Sequence, residues 1–181
     1  MDFGLKDKVA IVTGSSKGMG LAITQAYLKE GVKVMMVARS EKALQSLTDD
    51  FRKGGGIVDF VAGDVADPEL ANRVVNKTKE LWGKVDILIN NAGGPPMGGF
   101  LEHTGAVWET VIQTSLVSVI RFCQAVAPLM IDNKWGRIIS ITSTAAKEPA
   151  PVMVLSSTAR AGVGAFTKAI STELAPFNIS A

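Results

Sequence analysis

The first residues able to do chemistry form a glycine-rich segment between an apolar run and a helical pattern. Thr13-Gly14-Ser15-Ser16-Lys17-Gly18-Met19-Gly20 directly follows Val9–Val12. Gly14 permits a tight turn, Gly18 lets backbone amides approach a pyrophosphate, and Gly20 lets the helix pack closely on the strand. The helix N-terminus offers free N–H groups to phosphate oxygens. The alternative is a turn without a ligand. We favour a dinucleotide-binding turn made of Gly14, Ser15, Ser16, Lys17, Gly18, Met19 and Gly20.

The residues at the end of the second predicted strand indicate which dinucleotide is bound. An acidic residue there would hydrogen-bond a ribose 2′-hydroxyl, as NAD requires. This chain has Arg39 followed by Ser40, and a guanidinium suits a 2′-phosphate through bidentate, charge-assisted hydrogen bonds. Lys17 adds a second positive charge near the same phosphate. We therefore expect NADP as the cofactor, with NAD as the alternative if Arg39 is merely a surface arginine.

The single cysteine and the single histidine exclude several kinds of site. With only Cys123 and His103 in 181 residues, the chain cannot form an internal disulfide, a cysteine metal cluster or a multi-histidine metal site. Cys123 lies in an apolar stretch and is expected to be a buried, inert thiol. His103 is expected in a solvent-exposed loop.

Charge and hydropathy predict neither a nucleic-acid partner nor a membrane partner. The formal net charge is +2, and no basic run or stripe is present. Residues 1–8 carry charges and lack the apolar stretch of a signal peptide. No uninterrupted apolar run reaches the roughly 18–20 residues that a membrane span needs. We therefore expect a cytoplasmic protein.

Short apolar runs alternate with helical patterns along the whole chain. Predicted strands are Val9–Val12, Val32–Ala38, Ile57–Ala62, Val85–Ile89 and Arg137–Ile141, with Asn178–Ala181 as the start of a sixth. The first predicted helix runs from the glycine turn to Glu30, and the second follows the N-cap Ser40. The third follows the N-cap Asp67, has Pro68 as its first residue and ends at Trp82. The last two cover Ala106–Asn133 and Val152–Ala175. This alternation predicts an α/β fold: one doubly wound parallel sheet of Rossmann type, in a single domain over residues 1–181.

Several ordered motifs resemble the short-chain dehydrogenase/reductase family, in the compact form that includes 3-oxoacyl-acyl-carrier-protein reductases. The glycine turn matches the family's T-G-x-x-x-G-x-G motif, Asn90-Asn91-Ala92-Gly93 matches its N-N-A-G motif, and Gly136–Ser143 resembles its strand-five motif. The resemblance implies that Asp64 and Val65 contact the adenine and that Asn91, Ala92 and Gly93 border the cofactor. It also implies hydride transfer between a nicotinamide and a carbonyl or carbinol carbon. The family usually continues past residue 181, so the part that completes the substrate pocket is expected to be missing.

The family's catalytic residues are mostly replaced. Ser143 fills the serine position, but Ser156 stands at the tyrosine position, Arg160 at the lysine position and Ser115 at the asparagine position. Tyr27, the only tyrosine, lies in the first helix. The pattern resembles a divergent branch of the family. We take Ser143, Ser156 and Arg160 as the candidate catalytic residues.

The missing tyrosine leaves several roles open. Arg160 holds the nicotinamide ribose or clamps an anionic substrate. Lys147 and Glu148 supply a substitute acid or form a solvated charge pair. The chain is either an NADP-dependent oxidoreductase acting on a small-molecule carbonyl or alcohol, or a dinucleotide-binding module without catalysis. The resemblance further implies a homo-oligomer, a dimer or a tetramer, that pairs through the two long apolar helices.

Overall fold

One six-stranded parallel sheet with helices on both faces forms the fold. The computed structural model describes residues 2–181, and the strand order is β3-β2-β1-β4-β5-β6. The strands are β1 Val9–Thr13, β2 Lys33–Ala38, β3 Val58–Ala62, β4 Ile87–Asn90, β5 Gly136–Ser140 and β6 Ile179–Ser180. The α-helices are α1 Gly18–Lys29, α2 Glu41–Lys53, α3 Leu70–Trp82, α4 Gly105–Ile112, α5 Ser118–Asp132 and α6 Val154–Leu174. The predicted doubly wound, Rossmann-type α/β fold is confirmed.

Side chains alternate between the two faces of the sheet because successive residues of a strand point to opposite sides. Ile11 and Leu88 pack with residues of α3, α5 and α6 on one face. Ala10 and Val12 pack with residues of α1 and α2 on the other. All five residues of β1 are buried, as expected for a strand covered on both faces. This central strand ends at the glycine turn, so its rigidity fixes where that turn lies.

Two N-cap residues were predicted, Ser40 and Asp67, and the second is wrong. Ser40 caps α2, since its hydroxyl accepts a hydrogen bond from the amide of Ala43 at 3.3 Å. Asp67 does not cap α3, which begins at Leu70 after the N-cap Glu69. The Asp67 carboxylate instead accepts from the Glu69 amide at 2.9 Å. A side chain that accepts a hydrogen bond from the backbone amide two residues later stabilises a turn. Because of this turn, α3 begins later in the sequence than predicted.

The predicted helix over Ala106–Asn133 is interrupted. A π-helical turn, Gln113–Val117, separates α4 from α5. Within the turn, the hydroxyl of Thr114 donates to the carbonyl of Thr110 at 2.9 Å, and directly after it the hydroxyl of Ser118 donates to the carbonyl of Thr114 at 2.7 Å. Such back-bonding by hydroxyls competes with the regular backbone pattern. π-turns inside helices frequently mark functional sites.

The same helical stretch bears on the hydropathy expectation. Gly105–Asp132 is long and apolar enough to cross a membrane by length and composition, and its most apolar window of 18 residues has a mean hydropathy of 1.6. Counting uninterrupted apolar residues missed it because Glu109 and Arg121 interrupt the run. This is weak evidence for a membrane, since the core helix of a folded domain passes the same test. Phe122 and Val126 in α5 are buried against the sheet.

Charged side chains cover the outward edge of β3, a terminal strand of the sheet. Arg52 donates to the carbonyl of Val58 at 3.0 Å, and Lys77 donates to that of Phe60 at 2.8 Å. Asp59 holds both cations, with 2.7 Å from its carboxylate to each. Unpaired carbonyls on an edge strand invite association with another chain, and positive charges at the edge oppose it.

We predict that Asp59→Asn lowers the free energy of unfolding by about 1–2 kcal/mol at pH 7, because two charge-assisted hydrogen bonds weaken. Burial alone would raise the pKa of Asp59, but the hydrogen bond and charge of Lys77, with the Phe60 amide and Arg52, lower it below 3.8. The stabilisation is therefore fully present above pH 3.8 and is lost as the pH falls through the lower, folded-state pKa. Urea unfolding at pH 7 and pH 3 measures this.

The control for that prediction is Asp50→Asn. Asp50 pairs with Lys53 at 3.5 Å, and both side chains are exposed, so its loss should change the free energy by no more than about 0.5 kcal/mol. Equal effects of the two variants at pH 7 would contradict the account of the β3 edge.

Candidate active site

The glycine turn is fixed to the end of β4 by a cluster of hydrogen bonds. The Thr13 hydroxyl accepts from the Asn91 amide at 2.8 Å and lies 3.0 Å from the Asn91 carbonyl. The Asn91 side-chain amide donates to the carbonyls of Thr13 and Gly14 at 3.2 and 3.3 Å. β1 and β4 are the neighbouring strands at which the strand order reverses. Ligands of open α/β sheets bind in the crevice at this switch point.

The three glycines of the turn have different structural roles. A Cβ on Gly14, where φ is +62°, would lie 2.5 Å from the Asn91 carbonyl oxygen. A Cβ on Gly20 would collide with the Gly14 carbonyl. Gly18 has a φ of +56°, but nothing lies within 4 Å of its Cβ position. Gly14 and Gly20 therefore allow close packing inside the protein, whereas Gly18 borders open space.

The remaining residues of the turn differ in how far they are buried. The Ser15 hydroxyl is buried and bonds only the backbone of Val37, accepting from its amide at 2.9 Å. Its side chain therefore holds the turn against β2. Lys17 and Met19 are exposed and Ser16 is half-buried. In the described structure, no side chain caps the N-terminus of α1, which leaves its first amides for a ligand.

The residues predicted to select the cofactor lie beyond β2 and β3. Arg39 follows β2 with its side chain 82% exposed, and its guanidinium is 4.0 Å from the Asp64 carboxylate. A surface pair at this distance binds weakly, so Arg39 can turn toward an anion. Asp64 also accepts from the Ala66 amide at 2.9 Å, and Val65 is half-buried. Ser40 is exposed and its hydroxyl is used as the cap of α2.

Arg160 joins the ends of β4 and β5. Its guanidinium donates to the carbonyl of Ile141 at 2.5 Å and to that of Ala92 at 3.1 Å. The side chain comes from the second turn of α6, and the residue is only 6% exposed. Burial lowers the pKa of the guanidinium, although arginine stays protonated in proteins. The contact therefore places a buried positive charge between the two strand ends.

A pocket of about 230 Å³ opens beside this contact. All three candidate catalytic residues line it: Ser143, Ser156 and Arg160. Ser143 is half-buried at the start of a 3₁₀ turn, where its hydroxyl accepts from the Ala145 amide at 3.2 Å. Ser156 is 8% exposed in the first turn of α6. The rest of the lining is Met19, Ala92, Gly94, Pro95, Pro96, Met97, Ile141, Thr142 and Met153.

Other residues weighed for chemistry do not line this pocket. Tyr27 packs with apolar residues on the α1–α2 face of the sheet, and burial raises its pKa. Ser115 is buried within the π-turn. Lys147 and Glu148 are exposed on the loop after β5.

The cysteine prediction is confirmed and the histidine prediction is wrong. Cys123 is buried, and burial raises the pKa of its thiol to about 11. His103 is half-buried rather than exposed, and its ring lies against Gly98. Its Nε2 atom is enclosed without a hydrogen-bond partner among the described residues.

Sequence reasoning missed the residues that form the outer wall of the pocket. Met153 forms a parallel bridge with Gly98, the residue after Met97, and the Gly98 amide donates to the Val152 carbonyl at 2.9 Å. The Gly/Pro-rich composition of residues 93–99 signalled a loop, but nothing in it signalled pairing with residues 152–153. The carbonyl partners of Arg160 also left no signal, because every residue carries a carbonyl.

Comparison with known proteins identifies the family. The family model described as short chain dehydrogenase matches residues 8–181. The chain belongs to the short chain dehydrogenase family. It is 34% identical over 179 residues to a 3-oxoacyl-[acyl-carrier-protein] reductase of Chlamydia pneumoniae, covering 99% of this chain and 72% of that protein.

Solved structures of family members have the same fold. L-sorbose reductase from Gluconobacter frateurii, complexed with NADPH and L-sorbose, matches with a TM-score of 0.95 and 33% identity over 99% of this chain and 68% of that one. An NADPH-bound short chain oxidoreductase from Pseudomonas aeruginosa PAO1, described as containing an atypical catalytic center, matches with a TM-score of 0.91 and 31% identity. The match covers 96% of this chain and 68% of that one. The chain spans between 56% and 74% of the length of the curated relatives compared.

We predict that Gly14→Ala and Gly18→Ala differ sharply in stability. Gly14→Ala combines a left-handed backbone with a collision against Asn91, so it should cost about 2–5 kcal/mol of unfolding free energy. Gly18→Ala has only the backbone cost, about 1–2 kcal/mol. Denaturant unfolding of both variants measures the difference. Equal losses would contradict the division between packing and open-space glycines.

Proposed function

We propose that the chain acts as an NADP(H)-dependent oxidoreductase, which transfers a hydride between the nicotinamide and a carbonyl or secondary alcohol carbon at an atypical active site. The observation that carries the proposal is the convergence of Ser143, Ser156 and Arg160 on one pocket. The pocket also includes Met19 of the glycine turn and Ala92 at the end of β4, so a dinucleotide on the turn would reach it. Family membership supports the reaction class.

The residues present fit the cofactor. The open space beside Gly18 and the uncapped amides of α1 suit a pyrophosphate. The exposed Arg39 guanidinium, to which the exposed Lys17 adds a second positive charge, suits a 2′-phosphate. Asp64 and Val65 would lie beside the adenine, and Asn91, Ala92 and Gly93 beside the nicotinamide half. NAD is the alternative if Arg39 remains with Asp64.

When bound, the reduced dinucleotide would supply the hydride that a carbonyl carbon gains, and the oxidised dinucleotide would accept the hydride that a carbinol carbon loses. The hydroxyls of Ser143 and Ser156 donate to the carbonyl oxygen and orient its carbon. Arg160 acts as a positioning residue: because it holds Ala92 and Ile141 together, it keeps the β4 and β5 loops at a fixed separation. Holding reactants in a reactive geometry accelerates a reaction even without proton transfer.

The proton that balances the hydride must come from water. A serine hydroxyl is a far weaker acid than a tyrosine phenol, whose ordinary pKa is about 10, and arginine does not exchange protons usefully. Water that enters the open pocket can hydrogen-bond to the two serines and protonate the developing alkoxide. Positioned proton transfer is typically worth about 10²–10⁴ in rate, so we expect turnover that is slower by about this factor.

A second candidate function is dinucleotide binding without catalysis, as a sensor, scaffold or partner subunit. The observation that favours it is the position of Tyr27, which lies across the sheet and away from the pocket. This candidate predicts tight dinucleotide binding and no turnover with any carbonyl. Turnover well above the rate of free NADPH oxidation would rule it out.

We also propose a cytoplasmic homo-oligomer, a dimer or a tetramer. Several apolar side chains of α5 are only half-buried within one chain, among them Ile120, Leu129 and Ile131, and this partly accessible face suits a second copy. Light scattering during size-exclusion chromatography tests this, and a monomer at all concentrations would contradict it.

We predict that calorimetric titration gives micromolar binding of NADPH and at least tenfold weaker binding of NADH. Arg39→Ala should weaken NADPH binding about tenfold and leave NADH unchanged, because only NADPH carries the 2′-phosphate. The control is Lys53→Ala, another exposed cation whose partner is Asp50. An Arg39→Ala chain that retains the NADPH preference would show that the cofactor assignment is wrong.

We predict that Ser143→Ala lowers kcat for ketone reduction at least tenfold, whereas Ser143→Thr, which keeps the hydroxyl, retains most of it. The neighbouring Thr144→Ala is the control, because Thr144 is exposed and does not line the pocket. NADPH oxidation followed at 340 nm is the measurement. If Ser143→Ala kept the full rate, the assignment of Ser143 to the active site would be wrong.

A further inference from the structure

We propose that the substrate is a neutral carbonyl compound, or the matching alcohol, that carries an extended apolar group. The group lies on an apolar rim, defined as Met19, Met97, Phe100, Leu101 and Val152. This inference rests on the proposed oxidoreductase function, which supplies the reaction at the pocket, and it adds the class of molecule that the pocket accepts.

The charges around the pocket favour a neutral substrate. Arg160 is the only charged side chain among the described residues that line it. Both terminal nitrogens of that guanidinium already donate to carbonyls, and only 6% of the residue is exposed. A substrate carboxylate would lose its hydration and would meet a guanidinium that is almost fully enclosed and already bonded through both terminal nitrogens, which disfavours the bidentate contact that a carboxylate prefers. Arg160 is therefore a structural contact and not an anion clamp.

The remaining lining is of two kinds. The hydroxyls of Thr142, Ser143 and Ser156 provide the polar contacts, enough to orient one carbonyl oxygen. The apolar contacts come from Met19, Ile141, Met153 and the segment Pro95–Met97. Ligand sites commonly combine a mainly apolar wall with a few polar groups that fix orientation.

The apolar rim continues this wall outward. Its members are 51–91% exposed and make up five of the ten large apolar side chains that are exposed in residues 2–181. Met97 and Val152 lie close together, because the Gly98 amide donates to the Val152 carbonyl at 2.9 Å. Phe100 and Leu101 follow in a 3₁₀ turn that begins after Gly99. A concentration of this kind marks a binding surface, whereas single exposed apolar residues do not.

Continuity with the pocket identifies the occupant of the rim. Met19 and Met97 belong to both the rim and the pocket lining. A molecule whose carbonyl lies at Ser143 and Ser156 must therefore pass these methionines on its way out. Methionine is flexible and polarisable, so it can pack against chains of different shape.

The first test compares ketones on the full chain with saturating NADPH. A series from 2-butanone to 2-decanone is measured against oxo acids of equal length that end in a carboxylate. We expect kcat/KM to rise about fourfold per added methylene until the rim is covered, and each oxo acid to be at least tenfold poorer than its neutral match. A flat series, or a preference for oxo acids, would overturn the proposal.

A binding measurement separates this inference from the proposed function. Calorimetry with NADPH and the matching secondary alcohols, which together cannot react, reports affinity without turnover. If affinity rises with chain length while no ketone is reduced, the proposed reaction fails and the apolar site stands. If ketones are reduced but alcohol affinity is independent of chain length, the reaction stands and the apolar site fails.

Variants locate the site on the rim. Met97→Asp and Leu101→Asp should each raise KM for 2-octanone at least tenfold, while kcat stays within threefold, because the chemistry at Ser143 is untouched. Leu81→Asp is the matched control, since Leu81 is 47% exposed near the C-terminal end of α3, away from the pocket. Both rim variants lie at exposed positions and should unfold at the wild-type temperature. Equal KM values for rim and control variants would overturn the assignment.

Discussion

The geometry of the pocket depends on two contacts that join three neighbouring strand ends. Asn91 and Thr13 hold the end of β4 against the glycine turn after β1, and Arg160 holds Ala92 against Ile141 after β5. Strands in a parallel sheet are already in register, but the loops that leave them are not. These contacts extend the register of the sheet into the loops. The turn and the two serines can therefore occupy fixed positions relative to one another.

The Asn91 contact could be predicted from the sequence better than the Arg160 contact. Asn91 and the glycines lie in motifs whose spacing indicates their place, and the strands are continuous apolar runs that the structure confirms to within a few residues. Arg160 was visible only as a replacement for lysine. Its partners are backbone carbonyls, which carry no sequence signal, so both roles considered for it involved a ligand. For the same reason, the bonds from Arg52 and Lys77 to backbone carbonyls of β3 could not be predicted from the sequence.

Local competition explains the other differences. Asp67 and Ser40 are equally good helix caps by residue type, yet the Asp67 carboxylate bonds the backbone two residues on and forms a turn. Likewise, hydroxyls at positions 114 and 118 accompany a π-turn inside a stretch whose periodicity predicts one continuous helix. Ser15 belongs to the glycine motif, but its hydroxyl faces β2. Sequence spacing located these side chains, whereas packing decided which neighbour each one bonds.

The proposed chemistry follows from what the pocket contains. Its described lining offers hydroxyls and one permanently charged guanidinium, so it can orient a carbonyl but cannot provide a strong acid. The most direct test is the pH dependence of kcat for ketone reduction with saturating NADPH. Because no lining side chain titrates between pH 6 and 9, we predict a constant rate across that range, with water as the proton source. A sigmoidal profile would contradict this and indicate that a titratable side chain, and not water, donates the proton. No turnover at any pH would leave only dinucleotide binding.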